Sequence, residues 1–418
     1  MAVPKSEFAP VRLGQKLRLV AFFVLAMLWL NLLFVLGYWK GTKNGLTDFS
    51  VLYTAGTILR LGLGHQLYDR QLQYEVQEAF TGHVGFRRGP LPYIHPPFEG
   101  LIFWPLSWLT YRNALLVWDA MSMLMLIGTA MILRSCVDGL AGFAPWKFIV
   151  CALAFFPVVM CLLQGQDSIL LLLCCSLALR ALKKGSDVFA GFWLALGSFK
   201  FQFTVPIVLL FFLWRRRRLA LGFLPAALVL VLVSLRISGF RSLVEYPQFA
   251  LRVVETHALG GVPLSLLPNL HGLVLGWNGS IARWPAVAIA LAISGLLLAF
   301  AAAKGRSADV LPEDDFDLQF SLGVVVAVLV AWQTNIHDLC LLTLPLVLLL
   351  GYCLRNRNSE SSKFHLLYPA LPLLIGPLWM VLWLRLGHVN LMAIPMIWWV
   401  WKIGEELSGS AENVRASG

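Results

Sequence analysis

The sequence predicts an all-α protein that crosses a membrane about twelve times. Three observations carry this reading. Of 418 residues, 59% are hydrophobic and only 13% are charged, against roughly 45–50% and about 25% in an ordinary soluble domain. The apolar excess recurs along the chain in runs of membrane length, and a helix needs about 20 mostly apolar residues to cross the hydrocarbon. Lys and Arg gather in short intervals between those runs, and 16 Trp and 27 Phe supply the aromatic residues that bilayer interfaces favour.

Taken in order, the chain opens with Lys5, Arg12, Lys16 and Arg18 ahead of an apolar run at 19–38. That run is longer than the roughly 7–15 residues of a signal-peptide core, and no A-x-A site follows. It reads as an uncleaved first span with a cytoplasmic N-terminus. Residues 40–96 then form the longest polar-containing interval of the chain. Thr47 suits a helix N-cap. From Phe49 the residues Leu52, Tyr53, Gly56, Leu59 and Leu63 recur at helical spacing, an amphipathic face suited to lie on the membrane. Asp69 starts a second helix, with Leu72, Val76, Ala79 and Phe80 on one face and Gln73, Glu75, Gln77 and Glu78 largely away from it. Gly and Pro break the helix before the chain returns to the bilayer.

Further spans are expected near 97–110, 113–133, 146–163, 167–182, 188–213, 219–237, 284–303, 317–333, 338–354, 365–386 and 390–403. Arg215, Arg216, Arg217 and Arg218 mark the cytoplasmic side, as do Lys304 with Arg306 and Arg355 with Arg357 and Lys363. The intervals 40–96, 238–283, 334–337 and 387–389 then share the external face. Arg180, Lys183 and Lys184 conflict with this count, so the topology of 134–187 stays open. The whole chain, 1–418, reads as one polytopic domain with a second large external loop at 238–283 and a disordered tail at 407–418.

A net charge of +11 invites a nucleic-acid reading. The basic residues instead sit in loops between spans, and no nucleic-acid motif accompanies them. The seven cysteines lie in or beside apolar runs with no CxxC, and read as small buried hydrophobes. His257, His271, His337, Asp338 and Asp48 show no tight ligand spacing of the HExxH kind, so neither metal nor cofactor is expected. No internal repeat is visible, which counts against a transporter built from duplicated halves.

A few polar residues stand out against this background. Asp48 heads a helix, whose N-terminus stabilises a carboxylate able to accept a proton; it is also compatible with an ordinary first-turn Asp. Arg87, Arg88 and His95 form a basic patch in the same loop, with a solvated or headgroup-facing surface as the alternative. Lys200 interrupts an apolar segment, where a charge is costly and points to function unless it snorkels to an interface. Asn335, Ile336, His337 and Asp338 join two late spans, with Asp338 a possible N-cap. Gln164, Gln166 and Asp167 form a polar knot, read first as helix packing and second as the lining of a lipid-phosphate path.

A resemblance sharpens this picture. Residues 48–69, DFSVLYTAGTILRLGLGHQLYD, resemble the first loop of bacterial glycosyltransferase family 87. Residues 93–109, YIHPPFEGLIFWPLSWL, are similar to that family's Tyr-x-x-Pro-Pro segment. Gly165-Gln166-Asp167 resembles its Gly-Gln-Asn motif, with Asp in place of Asn, and residues 191–202 resemble the following Gly-to-Lys-Pro helix, with Phe201 in place of Pro. The match in order and spacing covers roughly residues 15–220 well and the remainder loosely.

The resemblance implies a GT-C fold and a membrane glycosyltransferase of the hexosyltransferase type. It would move a sugar, mannose first and arabinofuranose second, from a polyprenyl-phosphate donor to a glycolipid or cell-envelope glycan. It implies an inverting reaction at the external, periplasmic face of a bacterial inner membrane, with Asp48 as general base and no metal. Arg87, Arg88, His95, Lys200 and His337 become the candidates for binding the donor phosphate or the acceptor. The rival reading is a transporter or flippase of lipid-linked sugars that breaks no bond. A second rival is an O-antigen-ligase-like enzyme, whose main external loop is expected late in the chain.

Overall fold

The computed structural model of the protein describes residues 9–41, 47–81, 91–137, 140, 142–255, 262–276, 283–306, 313–356 and 363–417. Every regular element among them is helical. The composition dictates this, because in lipid each backbone N–H and C=O must be satisfied by helices or by closed barrels. Six helical stretches are long and apolar enough to cross a membrane: Arg18–Tyr38, Tyr111–Cys136, Asp187–Leu213, Arg218–Ala250, Trp284–Gly305 and Ile336–Arg355. The number becomes eight if two bent pairs each form one span, Pro145–Ala154 with Phe156–Gln164 (84°) and Lys363–Leu374 with Gly376–Leu386 (47°).

Twelve spans are therefore not reached among the described residues. Segment 97–110 is cut by Pro97 and Pro105 into three pieces of three or four residues. Helix Ser168–Lys183 has only 16 residues. Helix Glu313–Val330 opens with Glu313, Asp314, Asp315 and Asp317. The last helix, Ala393–Ser417, leaves its apolar part after Trp401. That helix also corrects the expected disordered tail at 407–418, since it runs through to Ser417. Leu407 is fully buried and Lys304 Nζ donates to Ser408 Oγ at 2.7 Å, which ties the helix down where disorder was expected to begin. The interval 238–283, expected to be a second external loop, begins inside a helix. Arg218–Glu255 continues through it, kinked at Gly239 with φ +78°.

The apolar side chains form two clusters. The smaller is built from residues of 49–118 and the larger from residues of 126–407. Met125 and Leu170 pack against both, so the candidate site, described below, lies along a seam.

The first polar interval folds inward. Helix α1 (Ala9–Gly41) leads to α2 (Phe49–Arg60). Every residue of α2 from Phe49 to Ile58 is buried, so this helix does not lie on the membrane surface as its periodicity suggested. Two hydroxyls of its polar face bond to their own helix, Thr54 donating to the Ser50 carbonyl at 2.6 Å and Thr57 to the Tyr53 carbonyl at 2.9 Å, while Ser50 Oγ is buried without a partner among the described residues. That lets Phe103, Tyr111 and Phe80 close around Phe49 and Tyr53 as tilted and edge-on ring pairs, each worth about 0.5–1.5 kcal/mol beyond burial.

Helix α3 (Arg70–Thr81) starts where expected. Asp69 Oδ1 accepts the N–H groups of Gln71 and Leu72 at 2.8 and 3.1 Å. Gln73 and Gln77, expected to face outward, are buried. Their amides clamp the chain as it returns. Gln77 Nε2 donates to the Leu91 carbonyl at 2.8 Å, and Gln73 Oε1 accepts the Tyr93 N–H at 3.0 Å. The clamp fixes the approach to His95.

Candidate active site

Residues 164–168 hold the site together. Helix α4 (Phe156–Gln164) ends at Gly165 in the left-handed region, φ +63°. The Gln166 N–H returns to the Cys161 carbonyl at 2.9 Å and the Gly165 N–H to Leu162 at 3.1 Å, a Schellman-type closure that needs glycine at the turn. A Cβ there would also lie 2.7 Å from both Phe49 Cβ and Leu115 Cδ1. Helix α5 (Ser168–Lys183) begins immediately afterwards, with Asp167 at its N-cap. The sharp turn throws successive side chains to different partners.

Gln164 and Gln166 reach Asp48. Asp48 occupies the N-cap of α2, one residue beyond the expected Thr47, but its side chain makes no capping bond. Thr47 instead shares a hydrogen bond with the Tyr111 hydroxyl at 2.9 Å. Gln164 Oε1 accepts the Asp48 N–H at 3.2 Å while Gln164 Nε2 donates to the Tyr38 hydroxyl at 2.8 Å. Gln166 Nε2 donates to Asp48 Oδ2 at 2.9 Å. His337 Nδ1 lies 3.9 Å from the same oxygen, and the Asp48 side chain stays 36% exposed.

Asp167 and Ser168 reach Lys200, which is only 3% exposed and so does not snorkel. Its ammonium donates to Ser168 Oγ at 2.6 Å and to Asp338 Oδ1 at 2.5 Å, and lies 2.8 Å from Asp167 Oδ1. The ammonium thus has two hydrogen bonds and a close ion pair, although neither Asp167 oxygen accepts a hydrogen bond among the described residues. Ser168 in turn donates to Asp338 Oδ1 at 2.8 Å. Asp338 is not an N-cap. It is the third residue of a capping box opened by Asn335, whose N–H it accepts at 2.8 Å. His337 Nε2 sits 3.6 Å from Asp338 Oδ1, so this imidazole stands between Asp48 and the Lys200 cluster.

The third arm is His95 with Glu99. His95 Nδ1 lies 2.7 Å from Glu99 Oε2 and 3.8 Å from Asp167 Oδ2. Burial lowers the His95 pKa, leaving the imidazole neutral. Burial drives the fully enclosed Glu99 carboxyl well above the usual carboxylate range, and the neighbouring Asp167 charge adds to this. Burial also pushes Asp167 upward, but the Lys200 ammonium outweighs it and holds Asp167 well below its ordinary value. The two adjacent carboxyls are thus shifted in opposite directions, Glu99 upward and Asp167 downward.

His95, Glu99 and Asp167 offer ligand atoms within 4.8 Å of one another, the geometry of a metal site. Both oxygens of Glu99 and of Asp167 are buried without a hydrogen-bond partner among the described residues, and the Lys200 ammonium lies 2.8 Å from Asp167 Oδ1. Of the histidines weighed as ligands, His271 stacks on Trp332 with centroids 3.9 Å apart, and His257 lies outside the described residues.

These arms line a cavity of about 420 Å³, within the range of small-molecule sites. His95, Gln166, Lys200, His337 and Asp338 form its polar wall; Phe199, Tyr246, Pro247 and Ala250 belong to its apolar wall. The kinked helix Arg218–Glu255, labelled α6, supplies Tyr246, which stacks on Tyr68 at 5.3 Å.

Of the residues singled out from sequence, the fold brings Asp48, His95, Lys200 and His337 to this one place. Arg87 and Arg88 lie outside the described residues. Sequence reasoning missed Glu99 and Ser168, and read Gln164 and Gln166 mainly as packing. Glu99 carried two signals: a charge inside an apolar run, and His95 four residues before it.

A search with protein-family profiles identifies glycosyltransferase family 87 over residues 93–332, more than half of the chain. The matched region contains His95, Glu99, residues 164–168 and Lys200; Asp48 precedes it and His337 follows it. No curated protein and no solved structure matches the chain.

Proposed function

We propose, from the premise that the chain belongs to glycosyltransferase family 87, that this membrane glycosyltransferase takes its sugar from a polyprenyl-phosphate donor and uses Asp48 as general base. The observation that carries the proposal is the state of Asp48. Its carboxylate stands beside the cavity, is partly exposed, makes no bond to its own helix and is held through one oxygen. A base must be within reach of the proton it removes, and Asp48 has an oxygen to spare.

In this reading the acceptor hydroxyl enters beside Asp48 and gives it a proton. The freed oxygen pair attacks the anomeric carbon from the side opposite the phosphate. The bond from that carbon to the phosphate oxygen breaks, and polyprenyl phosphate leaves with the electron pair, so the configuration inverts. Mannose is the first choice of sugar and arabinofuranose the second, with a glycolipid or envelope glycan as acceptor. The cavity's apolar wall suits the first isoprene units, and its polar wall the sugar and phosphate. The reading includes a GT-C architecture and a site on the external face of a bacterial inner membrane.

The phosphate ligands need revision from the sequence expectation. Lys200 donates to Ser168 and Asp338 and pairs with Asp167. With two aspartates around one ammonium, the cavity floor is net negative and does not attract a phosphate. The proposal therefore leaves phosphate binding to Arg87 and Arg88, with His95 and His337 as hydrogen-bonding groups, and gives Lys200 a structural role.

The test uses membranes containing the native protein or Asp48→Asn, given radiolabelled polyprenyl-phosphate-mannose and an envelope lipid extract. The native protein is expected to label a glycolipid and the variant to do so at least ~100-fold more slowly, the loss expected for a general base. Undiminished transfer by the variant removes Asp48 from its role. Label that changes leaflet without changing its chemical linkage supports a flippase instead.

A further inference from the structure

We propose that Gln166 is a positioning residue for the transfer step: it aims the Asp48 carboxylate by occupying one of its oxygens. The inference rests on the reading of Asp48 as base. Asp48 receives no orienting bond from its own helix. Its restraints come from one turn, through Gln164 on its backbone N–H and Gln166 Nε2 on Oδ2. The opposite amide orientation would set two oxygens against each other. With Oδ2 engaged, Oδ1 is left as the oxygen that takes the proton.

The turn that presents Gln166 is rigid. Its N–H is bonded to the Cys161 carbonyl at 2.9 Å, and its own carbonyl accepts from Cys161 Sγ at 3.3 Å. The left-handed Gly165 before it is wedged against Phe49 and Leu115, and Asp167 after it is pinned by Lys200. Phe49 is also the first residue of α2, so the turn that carries the amide packs directly on the helix that carries the base. Such coupling holds a catalytic group to within a fraction of an ångström, and a misplacement of about 1 Å costs on the order of 10²-fold in rate.

The other titratable groups facing Asp48 are His337 from the Asn335 turn, Tyr38 from α1 and Tyr111 from the following span. None of them is altered by a substitution at Gln166. Two variants then separate aiming from packing. Gln166→Leu removes the donor; Gln166→Glu sets a second carboxylate against Asp48 Oδ2. Two carboxylates in such contact compete for one proton, so the fully ionised pair is reached only at higher pH.

The experiment measures transfer by the full-length protein in proteoliposomes, using polyprenyl-phosphate-mannose and envelope lipid extract, across pH 5–9. Gln166→Leu is expected to lower kcat about 10–100-fold. Gln166→Glu is expected to move the acid limb of kcat/KM upward by at least ~1 unit. Native kcat and an unmoved acid limb in both variants, with Asp48→Asn inactive, would overturn the role of Gln166 and leave Asp48 as base. Undiminished transfer by Asp48→Asn would overturn both. A Tm lowered by more than ~5 °C in both variants, a multi-kcal/mol loss for a chain of this size, with transfer lost at every pH, would also overturn it in favour of packing.

Discussion

Lys200 lines the cavity and Asp48 adjoins it through Gln166 and His337; both were candidates from sequence, yet the fold treats them in opposite ways. Asp48 is partly exposed and held by one side-chain donor. Lys200 is buried, donates to Ser168 and Asp338, and pairs with Asp167. A charged group that reacts or binds needs unused hydrogen-bonding capacity, and Asp48 has more of it than Lys200. The polar floor around Lys200 joins three segments distant in sequence, at Asp167, Lys200 and Asp338, and leaves the rim free to do chemistry.

The strongest way to break this contrast is to exchange its two outcomes. Lys200→Met leaves Asp167 and Asp338 buried without their cation, a loss that costs about 3–5 kcal/mol. It should appear as a large fall in Tm or in folded yield. Asp48→Asn keeps a side chain that can still accept from Gln166 and should change stability by no more than ~0.5 kcal/mol while abolishing transfer. A Lys200→Met protein that melts like the native one but fails to bind donor would return Lys200 to the substrate side. Gly165→Ala comes next. It strains a left-handed turn and pushes on Phe49 and Leu115, at about 1–3 kcal/mol, and should lower transfer as well as Tm because the same turn carries Gln166.

The contrast also marks what the sequence could tell. Helical class and membrane character were readable from composition, and Lys200 stood out because a charge in an apolar run is costly enough to need a reason. Its partners were not readable. Lys200 donates to Asp338, 138 positions away, and no local pattern encodes that. The span count failed for a related reason. Hydropathy sees apolar length but not the breaks imposed by Pro97 and Pro105, nor the bend of 84° between Pro145–Ala154 and Phe156–Gln164. Helix α2 reads as amphipathic because Ser50, Thr54 and Thr57 count as polar; two of these hydroxyls donate to carbonyls four residues back, so the helix can be buried. Gln73 and Gln77 were placed outward by the same rule, although an amide that clamps a returning backbone belongs inside.

A smaller contrast lies within the floor, between neighbouring carboxyls shifted in opposite directions. Asp167 is held ionised by Lys200, so its folded pKa lies below its unfolded one. Its contribution is present above the unfolded value, about 4, and is lost as pH falls below that. Asp167→Asn should therefore cost about 2 kcal/mol near pH 7, the scale of a charge-assisted hydrogen bond, and progressively less below pH ~4. Glu99 behaves inversely. Its folded pKa is raised, so the native state keeps a proton that the unfolded chain releases above about pH 4. Native stability then falls as pH rises from that point until Glu99 ionises in place. Glu99→Gln imitates the protonated carboxyl and has no proton to lose. It should raise Tm near pH 7–8, by an amount equivalent to about 1 kcal/mol or more, and leave Tm nearly unchanged near pH 4. Melting curves of the detergent-solubilised protein at both pH values decide the matter. A Glu99→Gln variant that is destabilised at pH 7–8 would show that Glu99 is ionised there, and the proton would have to be reassigned to His95.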